Sequence, residues 1–261
     1  LYFLKHHSNF LITRTFTDPH RKVGVLFDIN QSFIIFYIMF YYYGRKQKIF
    51  KHYPKPKYDT IIEPFAGSAA YSMNYYSKNV ILIEKDEKIA SLWGYLISVE
   101  PSEILGLPIL NKGESLNDEK FDYLTTNQKS LIGFFLNPGS AQPKKSPGKF
   151  CAWTEKNRTK LSVDVTKVKH WTIINGDYSS VENQDATWYI DPPYQGNGGQ
   201  YYKHGNDGFD YDKLRNWINQ RQGEVIVCEN SEATWMEFKP LVDIQGQKHK
   251  TKEVIFYQEN L

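Results

Sequence analysis

From Tyr58 onward the chain alternates strand-like and helix-like segments, and the strand-like ones close on acids, prolines or glycines. "YDTIIEPFAGS" is a short β-rich run closed by proline and glycine, and "AAYSMNYYSK" after it reads as helical. "NVILIEKD" is a second buried strand ending in acids, followed by "EKIASLWGYLI" with apolar residues at helical spacing. "HWTIINGDYSS" and "ATWYIDPPY" give a third and a fourth strand with their turns. "FDYDKLRNWINQRQ" reads as an amphipathic helix with Phe209 and Leu214 inward, "GEVIVCENS" as a fifth strand, and "LVDIQGQKHKTKEVIFYQ" as a closing hairpin. This alternation predicts an α/β fold with a mostly parallel sheet covered by helices. Ligands of such sheets bind beyond the carboxyl ends of the strands, where the acids and glycines fall here.

Two segments break the rhythm. Residues 100–169 are polar, basic and punctuated by Pro and Gly, and read as an insertion between the halves 39–99 and 170–261 of one domain. Residues 1–38 fit poorly with the organised pattern after them and read as an atypical N-terminal extension. The longest apolar run, "SFIIFYIMFYYYG" at 32–44, is too short to span a bilayer comfortably and reads as a buried strand or helix. Cys151 and Cys228 are the only cysteines, which argues against a disulfide framework or a cysteine-based zinc site and suits a reducing compartment. The histidines show no metal-ligand spacing beyond the adjacent His6 and His7, so no metal site is expected. A net charge of +3 is too small to argue for nucleic acid globally; that case must be local.

Several constellations bear chemistry. In "EPFAGSAA" at 63–70 a strand turns through Gly67 and small residues, which lets backbone approach a ligand closely. The loop lacks both the Gly-Lys-Ser/Thr of a phosphate loop and the three-glycine dinucleotide spacing. A tight turn explains it equally well. Glu84, about twenty residues on, is spaced to accept from ribose hydroxyls or is simply a solvated strand-end acid. Asp177 in "NGDY" repeats the arrangement and could face an adenine or cap a turn. After Asp191, two prolines end the strand and leave a stiff loop carrying a carboxylate, carbonyls and the ring of Tyr194. Residues 142–160 hold Lys144, Lys145, Lys149, Lys156, Arg158 and Lys160, interleaved with Phe150 and Trp153. They suit phosphates and the gap left by a flipped base, or a solvated loop anchored by its tryptophan. "YYKHGNDGF" at 201–209 reads as a flap over the site.

In this order, "EPFAGSAA", Glu84, "NGDY" and "DPPY" resemble the DNA adenine-N6 methyltransferases of the Dam-like group. Upstream, "YYGRK" at 42–46 stands where that family has aromatic-x-Gly-Gly-Lys; Tyr42, Gly44 and Lys46 match, and Arg45 replaces the second glycine. The resemblance covers roughly residues 40–261, the middle only loosely. It implies a Rossmann-like S-adenosylmethionine-dependent methyltransferase in which 100–169 is an inserted target-recognition subdomain. It also implies double-stranded DNA as partner and no membrane, in the cytoplasm of a bacterial or phage-infected cell; the oligomeric state stays open, a monomer being favoured. Carried onto this chain, Lys46 would neutralise the cofactor carboxylate with Tyr42 nearby. Glu63, Pro64, Phe65, Ala66, Gly67 and Ser68 would lie under its methionine part, Glu84 would hold the ribose, and Asp177 would reach the adenine edge. Asp191, itself beside the cofactor, would form the catalytic motif with Pro192, Pro193 and Tyr194, and the basic residues above with Trp153 would contact DNA.

The motif has a physical logic. An exocyclic amine on a purine is a poor nucleophile because its lone pair is delocalised into the ring. Hydrogen bonds to Asp191 and to the Pro192 carbonyl would localise that pair on nitrogen for in-line attack on a sulfonium methyl. Stacking on Tyr194, worth roughly 1–3 kcal/mol, is comparable to the few kcal/mol lost in extruding a base. Related enzymes acting on cytosine carry Ser at the first motif position and those acting on protein glutamine carry Asn, so Asp191 favours adenine. An RNA adenine methyltransferase and a non-catalytic cofactor- and DNA-binding protein remain the alternatives.

Overall fold

The computed structural model describes residues 37–260 except 47–48, 197–198 and 246–249. The expected extension therefore lies outside the described residues but for Tyr37 and Ile38, as does the His6–His7 pair. The apolar runs of the sequence become β1 (Thr60–Glu63), β2 (Asn79–Glu84), β3 (Thr172–Asn175), β4 (Ala186–Ile190) and β5 (Gly223–Asn230). The closing hairpin is β6 (Lys239–Gln245) and β7 (Lys250–Asn260). These strands form one sheet of order β3-β2-β1-β4-β5-β7-β6. The first five are mutually parallel; β7 runs antiparallel to β5 and to β6. This is the mostly parallel α/β sheet that the alternation predicts, in the Rossmann-like form that the resemblance implies.

Strand order reverses at β1, which has β2 on one side and β4 on the other. The loops leaving β1 and β4 thus diverge at their carboxyl ends and open a crevice there. Period-two alternation divides the side chains between two faces. Ile61, Leu82, Tyr189, Ile226 and Cys228 join one apolar cluster, whereas Ile62, Ile83, Trp188, Ile190, Val225 and Val227 join the other.

The first cluster is covered by α1 (Glu87–Ser98) and α3 (Thr126–Leu136). Helix α1 starts at Asp86, whose carboxylate accepts from the Lys88 N–H, and buries Ile89, Leu92, Trp93 and Leu96 at helical spacing. Helix α3 opens with a capping box between Thr125 and Gln128. On the opposite face α5 (Tyr211–Ile218) buries Leu214 and Ile218, with Phe209 packed beside them.

Residues 100–169 include α2 (Pro101–Gly106), α3 and α4 (Glu155–Asp164). Leu107, Leu116, Phe134, Trp153 and Leu161 lie in the same cluster as Leu82 and Trp93. The segment therefore shares the core of the sheet domain, and Tyr37–Leu261 is one compact unit.

Two sequence expectations need correction. The helix expected at 69–78 is only a 3-10 turn at Ser72–Tyr75. Gly67 and Ala69 both have φ of 47°, a left-handed conformation that does not start a right-handed helix. The described part of the apolar run, 37–44, is neither strand nor helix. Met39, Phe40 and Tyr42 are buried one by one instead, Phe40 lying 5.6 Å from Trp93 and 5.3 Å from Phe134 between ring centroids. No helix among the described residues is long and apolar enough to cross a membrane.

Candidate active site

A cavity of about 480 Å³ opens at the crevice between β1 and β4, within the size range of pockets for small organic ligands. Its floor is the loop after β1. Glu63 is buried there and accepts from the Ser72 N–H at 2.8 Å. Burial pushes its carboxyl up to about 8, against hydrogen bonds from Ser72. The Ala66 N–H donates to the Ile83 carbonyl and the Trp93 indole donates to the Gly67 carbonyl at 2.8 Å, so β2 and α1 hold the loop in place. Gly67 is required twice over: it has positive φ, and a Cβ would come within 3.3 Å of the Tyr42 ring.

Three acids rim the cavity from the ends of β2 and β3. Glu84 accepts from the Gly67 N–H at 3.0 Å and from the Asp86 N–H at 2.9 Å. Burial raises its pKa, opposed by these bonds. Each of its oxygens braces backbone while facing the cavity. Asp177 accepts from the Ser179 N–H and hydroxyl and lies 3.4 Å from the Lys85 ammonium, so it is a turn cap at the cavity wall. Asp86 carries no signal in the sequence that sets it apart from a helix cap. It is 3% exposed, its Oδ1 meets Lys88 N–H and the Lys203 ammonium, and its Oδ2 has no hydrogen-bond partner among the described residues.

The chemistry-bearing end is at Asp191, directly after β4. Burial lifts this carboxyl to about 6, and the neighbouring Lys46 holds it from rising further. The Lys46 ammonium lies 3.1 Å from Asp191 Oδ1, 3.5 Å from Glu253 Oε1 and 4.2 Å from the centroid of the Tyr194 ring. Burial pulls the Lys46 pKa down, but Asp191 and Glu253 outweigh it and hold the ammonium above its ordinary range. Glu253 also accepts from the Tyr53 hydroxyl at 2.6 Å and, in a shorter contact, from the Tyr194 hydroxyl. The Pro193 carbonyl accepts from Tyr211, and the Tyr194 carbonyl from the Asn206 amide. Donors from Tyr211 and Asn206 thus fix the stiff loop through its carbonyls.

The segment 202–209 closes the cavity from the outside. Tyr202 lies 5.9 Å from the Tyr42 ring, its hydroxyl donates to the Tyr43 carbonyl at 3.4 Å, and Lys203 reaches Asp86 at 3.5 Å. Gly44, at φ 71°, leaves room for Tyr202; a Cβ there would sit 2.1 Å from the tyrosine hydroxyl. Arg45 has no positive φ, so its position makes no demand for a glycine, and its guanidinium lies over the Tyr41 ring.

The fold brings together Tyr42, Lys46, Glu63 to Ser68, Glu84, Asp177, Asp191 and Pro193 around one cavity; Pro192 and Tyr194 are not part of its lining. Lys46, expected at a cofactor carboxylate, is paired with Asp191 and Glu253 of the chain itself. Trp153, expected to contact DNA, is 2% exposed, donates to the Pro108 carbonyl at 2.7 Å and packs edge-on against Phe135. It is a core anchor. Arg158 is half-buried with its guanidinium on the Leu107 carbonyl, and Lys160 pairs with Asp164. Lys144, Lys145, Lys149 and Lys156 are exposed, and Phe150 is 70% exposed beside Lys149. Their loop is laced to α3: the Lys144 N–H donates to Gly133 and the Ala152 N–H to Phe135.

Glu253 is a site residue that the motifs do not point to. Its one signal in the sequence is an acid in phase with Ile255 on the inward register of a strand.

No protein-family model and no curated protein matches the chain. Among solved structures it is similar to the "putative methyltransferase yhhF" of Escherichia coli, at 10% identity over 77% of this chain and 75% of that one, with a TM-score of 0.34. It is similar also to the "putative methylase HI0767" of Haemophilus influenzae, at 11% identity over 77% of this chain and 80% of that one, again with a TM-score of 0.34.

Proposed function

We propose that this protein transfers a methyl group from S-adenosylmethionine to the N6 amino group of adenine in duplex DNA. The observation that carries the reading is the position of Asp191. A half-buried carboxylate with a raised pKa stands at the topological switch point and shares one cavity with the Gly67 loop and with the acids Glu84 and Asp177. The ordered motifs that resemble the Dam-like enzymes thus converge in space.

The residues fit the cofactor. Glu84, Asp86 and Asp177 offer acceptors at one end of the cavity, and the orphaned Asp86 Oδ2 calls for a donor. Gly67 and Ala66 supply a floor that backbone and small side chains leave low. When bound, S-adenosylmethionine supplies an electrophilic sulfonium methyl.

The chain's own residues supply the rest. Asp191, ionised at neutral pH, accepts a hydrogen bond from the target amine and localises its lone pair. With its carboxyl raised to about 6 it is also a better proton acceptor than an ordinary aspartate, suited to the proton the amine sheds. The prolines hold that carboxylate still, so the stabilisation is preorganised. Tyr194, whose ring now carries the Lys46 ammonium at 4.2 Å, would stack on the base once that face is cleared. The exposed Lys144, Lys145, Lys149 and Lys156 supply phosphate contacts, and Phe150, not Trp153, is the aromatic available to an opened duplex.

The test is to incubate the protein with unmethylated duplex DNA and labelled S-adenosylmethionine, then digest the DNA and identify the labelled nucleoside. N6-methyladenine that disappears with Asp191→Ala supports the proposal. N4-methylcytosine would overturn the base assignment. Label entering RNA in place of DNA would overturn the substrate, and cofactor binding without any product would overturn the enzyme.

A further inference from the structure

We infer that Glu253 is a positioning residue, a second anionic seat that receives the Lys46 ammonium when the target amine takes Asp191. The inference rests on the methyltransferase reading above and deepens it.

The Lys46 ammonium now occupies two places that the proposal gives to the target adenine, the oxygen for its amine and the ring face for its base. It donates toward Asp191 Oδ1 at 3.1 Å and stands 4.2 Å from the Tyr194 ring centroid. An adenine cannot set its amine on the same oxygen and its ring on the same face while the ammonium stays there. Lys46 must therefore yield.

It cannot yield into empty space. Its side chain is 10% exposed, and a buried cation without a partner carries a heavy desolvation cost. Glu253 resolves this. Its Oε1 lies 3.5 Å from the same ammonium, and its side chain is only 5% exposed. Tyr53 and Tyr194 donate to that oxygen, so the carboxylate is held as an acceptor facing the site. The antiparallel insertion of β7 beside β5 is what delivers it: Glu253 pairs with Asn230 at the carboxyl end of β5, beyond Val227, the residue in register with Ile190 at the end of β4. A small movement of Lys46 from Asp191 to Glu253 keeps the cation paired and uncovers both catalytic contacts.

Glu253→Gln keeps an oxygen for Tyr53 and Tyr194 but removes the charge that draws Lys46 away. We expect kcat on DNA to fall at least tenfold, KM for S-adenosylmethionine to change less than threefold, and Glu253→Asp to recover part of the rate. A Glu253→Gln protein with kcat within twofold of wild type overturns the inference, as does equal loss in the Gln and Asp variants. A second measurement does not depend on activity or on how those variants fold. In a crystal structure of Asp191→Asn, Lys46 is expected within about 3 Å of Glu253, and an ammonium turned away from Glu253 overturns the seat. If wild-type protein methylates no adenine, the methyltransferase reading fails on its own, and the Asp191→Asn structure still decides where Lys46 goes.

Discussion

The Lys46 ammonium lies 3.1 Å from the Asp191 carboxylate, joining the loop before β1 to the carboxyl end of β4. The contact crosses the switch point of the sheet, so it ties together the two halves of the crevice that strand order creates. It also sets the acid's proton affinity. Burial drives Asp191 up to about 6, and the cation keeps it from going higher.

Under the proposed function this makes the rate pH-dependent in a defined direction. Asp191 would serve as an acceptor only when ionised, so kcat/KM for DNA, which reports the free protein, should fall as pH drops through about 6. In Lys46→Met the opposing cation is gone, the carboxyl titrates higher, and the acid limb should move to higher pH. Rates at saturating cofactor and limiting DNA between pH 5 and 8.5, roughly spanning the carboxyl's range, check this. A limb that stays in place with Lys46→Met would show that Asp191 is not the titrating group.

Glu63 gives a stability prediction. Its folded-state pKa is raised from 4.5 to about 8, so between those values the folded chain holds a proton that the unfolded chain has released. Stability from this group is therefore present at low pH and lost as pH rises through that window, at a limiting slope of about 1.4 kcal/mol per pH unit. Glu63→Gln keeps an acceptor for the Ser72 N–H and has no charge to bury. Urea unfolding should find the variant close to wild type near the bottom of the window and more stable than wild type at its top.

Gly44→Ala should disturb closure of the cavity. The new Cβ would sit 2.1 Å from the Tyr202 hydroxyl at φ 71°. The left-handed backbone alone costs about 1–2 kcal/mol, and Tyr202 must move off the Tyr43 carbonyl. Calorimetry should show weaker S-adenosylmethionine binding together with a lower melting temperature. Unchanged cofactor affinity would remove the segment 202–209 from the binding site.

Trp153 and its basic neighbours should separate cleanly. Trp153→Ala removes a buried indole and its bond to Pro108, a loss of about 3–5 kcal/mol by analogy with other large core truncations. It should leave the salt dependence of DNA binding unchanged in the molecules that remain folded. Lys144→Ala, Lys145→Ala and Lys149→Ala should each leave stability nearly intact. Each that meets a phosphate should flatten the slope of log K against log salt by about 0.9. Titrations at several salt concentrations, with melts alongside, distinguish the two classes.

By itself the sequence determined the strands, their order along the chain and the residue types at their ends. Ile61 to Glu63, Leu82 to Glu84 and Trp188 to Asp191 are legible because alternation, proline stops and glycine turns are local properties, written within a few residues of where they act. The same locality misled at 69–78, where a helical pattern lost to left-handed turns at Gly67 and Ala69. Only the tertiary structure decided which donor meets which acceptor. Nothing near Lys46 in the chain points to Asp191, nothing near Tyr194 points to Glu253, and nothing in the basic segment tells that Trp153 is inside while Phe150 is outside. Those pairings depend on β4 lying beside β1 and on β7 entering antiparallel next to β5. Buried charges and hydroxyls then settle on the partners that this strand order places within reach, since leaving them unpaired away from water costs more than any local preference.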